Sequence, residues 1–240
     1  MRWISLLVVM LVIATLVLFI KAPALPGPHN SPPVRIVLIA IDERSLAQVG
    51  PWPWPRSVYA RVLDALARQG VQRVAFDIVF SQDPSQQRDD AVLARALGRF
   101  PGQVAIGAIP AEAGPGWGQA PAAVLVQHAT VVALASPADE QGVARAIPCS
   151  MRIAGRDRAT LAAFISGRPC RSAMKIAWET NPASLDTYSV ADVLAGDVPE
   201  QGLRGRTVVV GATAKMLGDR KATPTGRWLP GVYLQIFAAT

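Results

Sequence analysis

Apolar positions fall along this chain in three patterns: one long run at the start, short runs bounded by turn residues, and segments at helical spacing. The long run, Trp3 to Ile20, carries no charge, and at about 1.5 Å per residue it reaches roughly 27 Å, enough to cross a bilayer. Residues 1–21 therefore read as an N-terminal transmembrane or signal-anchor segment. A cleaved signal peptide, cut after Ala24 in Ala22-Pro23-Ala24, is the alternative. Residues 22–33 are rich in proline, lack apolar periodicity and read as an extended tether.

The folded part begins at Val34, where VRIVLIAI is a near-continuous apolar run, as expected of a strand buried on both faces, and Asp42 closes it. Pro51, Pro53 and Pro55 then hold Trp52 and Trp54 on a stiff turn that cannot be a central strand. Val58, Val62, Leu63, Leu66 and Ala67 predict a helix that stops at Gly70, and VQRVAFDIVF predicts a second strand with Asp77 near its end. A helix over Asp89 to Phe100 and a strand in QVAIGAIP follow. Ala111 to Gln127 reads as a long surface loop, Ala129 to Leu134 and Val143 to Ile153 as strands that could pair with each other, and Ala159 to Ile165 as a short helix. YSVADVLAG predicts another helix, and Thr207 to Val210 a strongly buried strand. Strands alternating with helices through short connections predict an α/β fold: a mostly parallel sheet with helices on both faces, preceded by one transmembrane helix. Residues 34–240 form the single folded domain of this reading.

Charge changes the picture little. The net charge is +7, but the basic residues are scattered and not interleaved with exposed aromatics, so nucleic acid is not the expected partner. A general surface preference for arginine, or attraction to anionic headgroups, accounts for it. Arg2 and the amino terminus precede the span and Lys21 follows it, which places the amino terminus in the cytoplasm and the domain outside, in the periplasm of a Gram-negative cell. Cys149 and Cys170 then either pair in an oxidising compartment or remain two small buried thiols.

Asp42, Asp77 and Asp219 lie at or beyond the carboxyl ends of three predicted strands, the edge where open α/β sheets bind ligands, with Arg56 and Thr213 as companions. Such a group suits a cationic or polyhydroxyl ligand, a metal ion or an internal ion pair with arginine. Strand-end carboxylates also cap helices, and Asp42 is the one for which a ligand role is best motivated. Trp52 and Trp54 either stack on a ligand or plug the core. No Gly-x-Ser-x-Gly elbow or phosphate loop is present, Gly114, Gly116 and Gly118 do not open a helix after a strand, and His29 and His128 have no metal-ligand spacing. No cofactor and no enzymatic activity are therefore expected, a metal-assisted hydrolase on the aspartates being the residual enzyme reading.

The segments IAIDERSLAQVGPWPWPR, GVQRVAFDIVF, DEQGVARAIP, YSVADVLAG and RGRTVVVGATAKMLGDRKATPTGRWLPGV, in that order, resemble the second type of CHASE domain from about Val34 to Val232. The resemblance implies a bacterial extracellular sensing module in the inner membrane, answering an unknown small-molecule or environmental signal and feeding a cyclase, diguanylate cyclase or kinase. It also implies further membrane helices and an output domain beyond Thr240, so the chain reads as truncated before them. Gln141 stands where the family has an acidic residue, and Tyr233, Leu234 and Gln235 follow Gly231-Val232 where the family tends to read Glu-Leu-His. An assembly module that forms a homodimer and binds no small molecule is the alternative to the sensor.

Overall fold

The computed structural model describes residues 35–111 and 117–240, so the expected anchor (1–21), the tether (22–33) and His29 lie outside the described residues, as do Gly114 and Gly116. Among the described residues no helix is long and apolar enough to cross a membrane. Strand β1 (Ile36–Ile41) is buried along its whole length. Its side chains alternate between two cores, Val37, Ile39 and Ile41 entering one and Ile36, Leu38 and Ala40 the other. This is why the run is apolar without a break: both faces of the strand are covered.

After β1 come helices α1 (Glu43–Val49) and α2 (Arg56–Arg68), then β2 (Arg73–Phe76), α3 (Gln87–Arg99) and β3 (Gln103–Pro110). Helices α2 and α3 cover one face of the sheet through Val58, Val62, Leu63, Leu66, Leu93 and Leu97. Residues 111–127 are not the plain loop that composition predicts. They contain β4 (Trp117–Gln119), antiparallel to the end of β3, and a one-turn helix α4 (Ala123–Val126). Elements this short carry no periodicity, so proline, glycine and alanine content alone could not reveal them.

Strand β5 (Thr130–Ala133) pairs in parallel with β3. The Val143 to Ile153 stretch breaks at Pro148-Cys149 into β6 (Ala146–Pro148) and β7 (Ser150–Ile153). The expected pairing with residues 129–134 does not form: β7 turns back onto β8 (Arg156–Ala159), and β6 pairs antiparallel with β9 (Ala173–Lys175), which follows α5 (Leu161–Ser166). A short apolar run marks a buried strand but does not name its partner. A disulfide joins Cys149 to Cys170 beside this region, with Cα atoms 5.6 Å apart.

The chain then forms β10 (Thr187–Ser189), α6 (Val190–Ala195), α7 (Glu200–Leu203), β11 (Thr207–Ala212), the hairpin β12 (Arg220–Ala222) and β13 (Trp228–Pro230), and finally α8 (Gly231–Ala239). The strand order is β10-β1-β11-β2-β3, with β5 completing the parallel sheet and β4 lying against the end of β3. Late in the sequence, β11 inserts between β1 and β2. On the second face α5 and α8 pack through Leu161, Ile165, Leu234, Ile236 and Phe237. Close approach of α8 depends on Gly211, where a Cβ would stand 2.5 Å from Val232 Cγ2. The result is an α/β/α arrangement with a mostly parallel sheet in the middle.

Candidate functional site

The carboxyl ends of β1, β11 and β2 lie side by side, so Asp42, the 212–219 loop and Asp77 leave the sheet at one edge. They do not form one group. Asp42 is the N-cap of α1: its Oδ1 accepts from the Ser45 N–H at 2.8 Å while its own N–H donates to Ser45 Oγ at 2.9 Å. The same Oδ1 accepts from Ser189 Oγ at 2.8 Å, and Ser189 in turn caps α6. Asp42 therefore satisfies orphan amides and ties two helices together, the capping role that strand-end carboxylates often take, and it does not line the cavity described below.

Arg56 is also turned inward. Its Nε lies 3.4 Å from Asp90 Oδ1, its Nη2 donates to the Ser81 carbonyl at 3.2 Å, and its guanidinium covers the Phe80 ring. Asp90 is almost wholly buried on α3, and burial pushes its carboxyl up against the opposing pull of Arg56. The Arg56 charge, expected beside Asp42 and Asp77, is thus engaged by Asp90 and the Ser81 carbonyl, and Arg56 does not line the cavity described below. Trp54 is fully buried with its indole N–H on the Gly50 carbonyl at 2.8 Å. It packs 6.0 Å from Tyr59, centroid to centroid, and is the plug rather than the ligand platform. Its neighbour Trp52, after which the Trp52-Pro53 peptide is cis, packs edge-on against it and reaches a different place.

That place is a cavity of about 340 Å³ over β2 and β11, lined by Trp52, Asp77, Asp219, Lys221 and Gln235 among others. Asp77 sits on its floor, anchored by its backbone N–H to the Val210 carbonyl at 2.9 Å. Burial, and then the nearby Asp219 charge, push the Asp77 carboxyl up to about 7, with Lys221 opposing them. Asp219 comes from the loop before β12, and Lys221 Nζ lies 3.5 Å from its Oδ1. Its backbone carbonyl accepts from the Gly231 N–H at 2.9 Å. A Cβ at Gly231 would collide with the Asp219 carboxylate, so glycine at the first position of α8 is what lets that carboxylate lie against the helix start. Ile78, Val79, Ile109, Leu134 and Leu217 give the rest of the wall an apolar character.

A family model described as the CHASE2 domain matches residues 8–239, nearly the whole chain. The chain belongs to the CHASE2 family. CHASE2 is a family of extracellular sensory domains, and sensory rather than catalytic. No curated protein and no solved structure matches the chain.

In this CHASE2 domain, then, the candidate residues divide. Trp52, Asp77 and Asp219 meet at the cavity; Asp42, Trp54 and Arg56 are built into the packing beside it. Thr213 does not line the cavity, and its N–H donates to the Ile41 carbonyl at 3.0 Å, closing the β11 exit onto β1. Sequence reasoning did not place Lys221 or Gln235 there. Gln235 is buried, its Oε1 accepts from the Ala162 N–H at 3.2 Å, and it thereby joins α8 to the first turn of α5. Neither Lys221 nor Gln235 carries a signal in the sequence that would place it at a cavity. Among the described residues no group of three His, Cys, Asp or Glu side chains could hold a metal ion.

Proposed function

We propose that this CHASE2 chain is the extracytoplasmic input domain of a bacterial membrane receptor, anchored by residues 1–21 and taking a small-molecule signal in the cavity over β2 and β11. The observation that carries this reading is the cavity itself. It has the size of a small-ligand site and lies at the ligand-binding edge of a parallel sheet, with Gly231 and Gln235 of α8 in its wall. A ligand there touches the start of α8, whose Val232, Leu234, Ile236 and Phe237 are buried in the core. Because packed cores rearrange between discrete states rather than deforming smoothly, a ligand that prefers one α8 position shifts the population toward it. The receptor's output, by the resemblance, is a cyclase, diguanylate cyclase or kinase.

The test is a thermal-shift screen of a small-molecule library on the purified full-length chain and on Ala212→Phe, which fills the cavity. Compounds that stabilise the wild type and not the filled variant are expected. Stabilisation that survives Ala212→Phe for every compound removes the cavity from the account. A second reading, an assembly module that pairs two copies, is favoured by Met216 and Trp228, which are 76% and 58% exposed. Sedimentation showing a dimer that Trp228→Ser disperses, together with no response to any compound, would establish that reading instead.

A further inference from the structure

The three strand-end carboxylates differ in how many donors reach them. Asp42 Oδ1 accepts two hydrogen bonds. Asp219 has Lys221 at 3.5 Å. The Asp77 carboxylate lines the cavity and, among the described residues, accepts no hydrogen bond and forms no ion pair. Asp77 is half-buried, so its carboxylate keeps some access to water, but with no donor supplied by the protein it is the group in the cavity left open to a donating ligand atom.

Charge and shape indicate what that atom belongs to. With both carboxyl groups ionised, Asp77 and Asp219 carry two negative charges against the single positive charge of Lys221, which leaves one negative charge uncompensated. No third carboxylate, histidine or cysteine joins them among the described residues, so calcium, which takes six to eight oxygen ligands, finds too few from the protein, and the Lys221 ammonium 3.5 Å from Asp219 opposes a second positive charge of any divalent ion beside it. Most of the rest of the wall is apolar, with Trp52, Ile78, Ile109, Leu134 and Leu217 its largest members and Gln119 and Gln235 its neutral polar ones. Such a wall suits an organic body, and an indole also attracts a cation.

We infer that the cavity is a site for a small organic monocation, an ammonium group donating to Asp77 and Asp219 while an apolar body packs on Trp52, Ile109 and Leu134. The inference rests on the cavity being the sensory site. It carries a proton signature. The groups facing Asp77 are Asp219 and Lys221 from the hairpin segment, with Gln235 of α8 as a neutral neighbour in the wall. An ammonium placed against Asp77 favours its charged form, so binding expels the proton that the carboxyl holds below about pH 7, and affinity rises with pH up to that value.

Three probes sharing a phenyl ring on a short tether test it on the purified full-length chain by titration calorimetry: 2-phenylethylammonium, 3-phenylpropan-1-ol and 3-phenylpropanoate. The ammonium probe is expected to bind at least roughly tenfold tighter than the alcohol, as a charge-assisted hydrogen bond implies, with the propanoate weakest. Asp77→Asn and Asp219→Asn should each reduce ammonium affinity about tenfold, and Lys221→Gln should raise it. At pH 6 the ammonium probe should release protons in the wild type and not in Asp77→Asn. Melting curves of the variants confirm that they are folded, and the probe series tests the charge preference without any variant.

Equal or tighter binding of the alcohol or propanoate, or no binding of the ammonium probe, overturns the monocation. If in that case library hits still depend on an unfilled Ala212, the cavity remains the sensory site and only the ligand class falls. If Ala212→Phe changes no response, the cavity reading falls with it.

Discussion

Asp42 and Asp77 each follow the last residue of a parallel strand, yet one is saturated and the other is not. Asp42 meets the Ser45 amide three residues on and the Ser189 hydroxyl from across the β1–β10 pair. Asp77 meets a second carboxylate and a cavity. In the Arg56–Asp90 pair, which does not line the cavity, charge is buried against opposite charge at 3.4 Å, although neither Arg56 Nε nor Asp90 Oδ1 makes a hydrogen bond. A carboxylate at a strand end is thus a structural part where donors surround it and stays open to a ligand where they do not. The Trp-Pro-Trp-Pro-Arg segment that identifies the family mostly belongs to the first class, and only Trp52 reaches the second.

The largest effect should come from unmatching the buried pair. Arg56→Met leaves Asp90 without its counter-ion and should lower unfolding free energy by about 3–5 kcal/mol in urea titrations, and Arg56→Met with Asp90→Leu should recover much of the loss. A single variant that unfolds like the wild type would mean the pair is not matched as described.

Asp77 should behave in the opposite sense. Its folded carboxyl titrates at about 7 against an ordinary 3.8, so between these values the folded state keeps a proton that the unfolded chain has lost. The Asp77 contribution to stability therefore falls as pH rises from about 4 to about 7 and levels off above, which is read as the difference between wild type and Asp77→Asn. Asp77→Asn removes that slope and should exceed the wild type at pH 7.5 by something on the order of 2 kcal/mol, allowing for partial solvent access, while the two match at pH 4. Parallel pH profiles in urea unfolding would contradict the raised value.

Asp42→Ala should cost about 1 kcal/mol through loss of the cap, with no change in the binding of any cavity ligand. A ligand response that disappears with Asp42 while the domain stays folded would return that residue to the site. The smallest stability effect belongs to Lys221→Gln. Its pair with Asp219 is exposed to solvent, so urea midpoints should stay within about 0.5 kcal/mol of the wild type, and only ligand affinity should respond.

Much of the framework was legible because its signals are local. The unbroken run in β1 announced burial on both faces, and the spacing of Val58, Val62, Leu63 and Leu66 announced the covered face of α2. Gly196 marked the end of α6, where the backbone turns left-handed at φ 83°. The short elements β4 and α4 left no such trace. The partners of residues 129–134 and 143–153 were illegible for another reason, since pairing depends on strands far away in sequence. At the site, Asp77 and Asp219 could be named as strand-end carboxylates, but Lys221 and Gln235 carried no signal of a cavity.

By itself, the amino-acid sequence determined the class of fold, the identity of the buried strands and helix faces, and membership of a sensory family, because periodicity and motif order are properties of neighbouring residues. Only the tertiary structure decided which of the charged groups are matched. That choice depends on β11 entering between β1 and β2, on Ser189 reaching Asp42 from 147 positions away, and on Gly211 and Gly231 letting α8 and Asp219 come close. Electrostatic fate follows distance in space, and distance in space is set by strand order and backbone approach rather than by position along the chain.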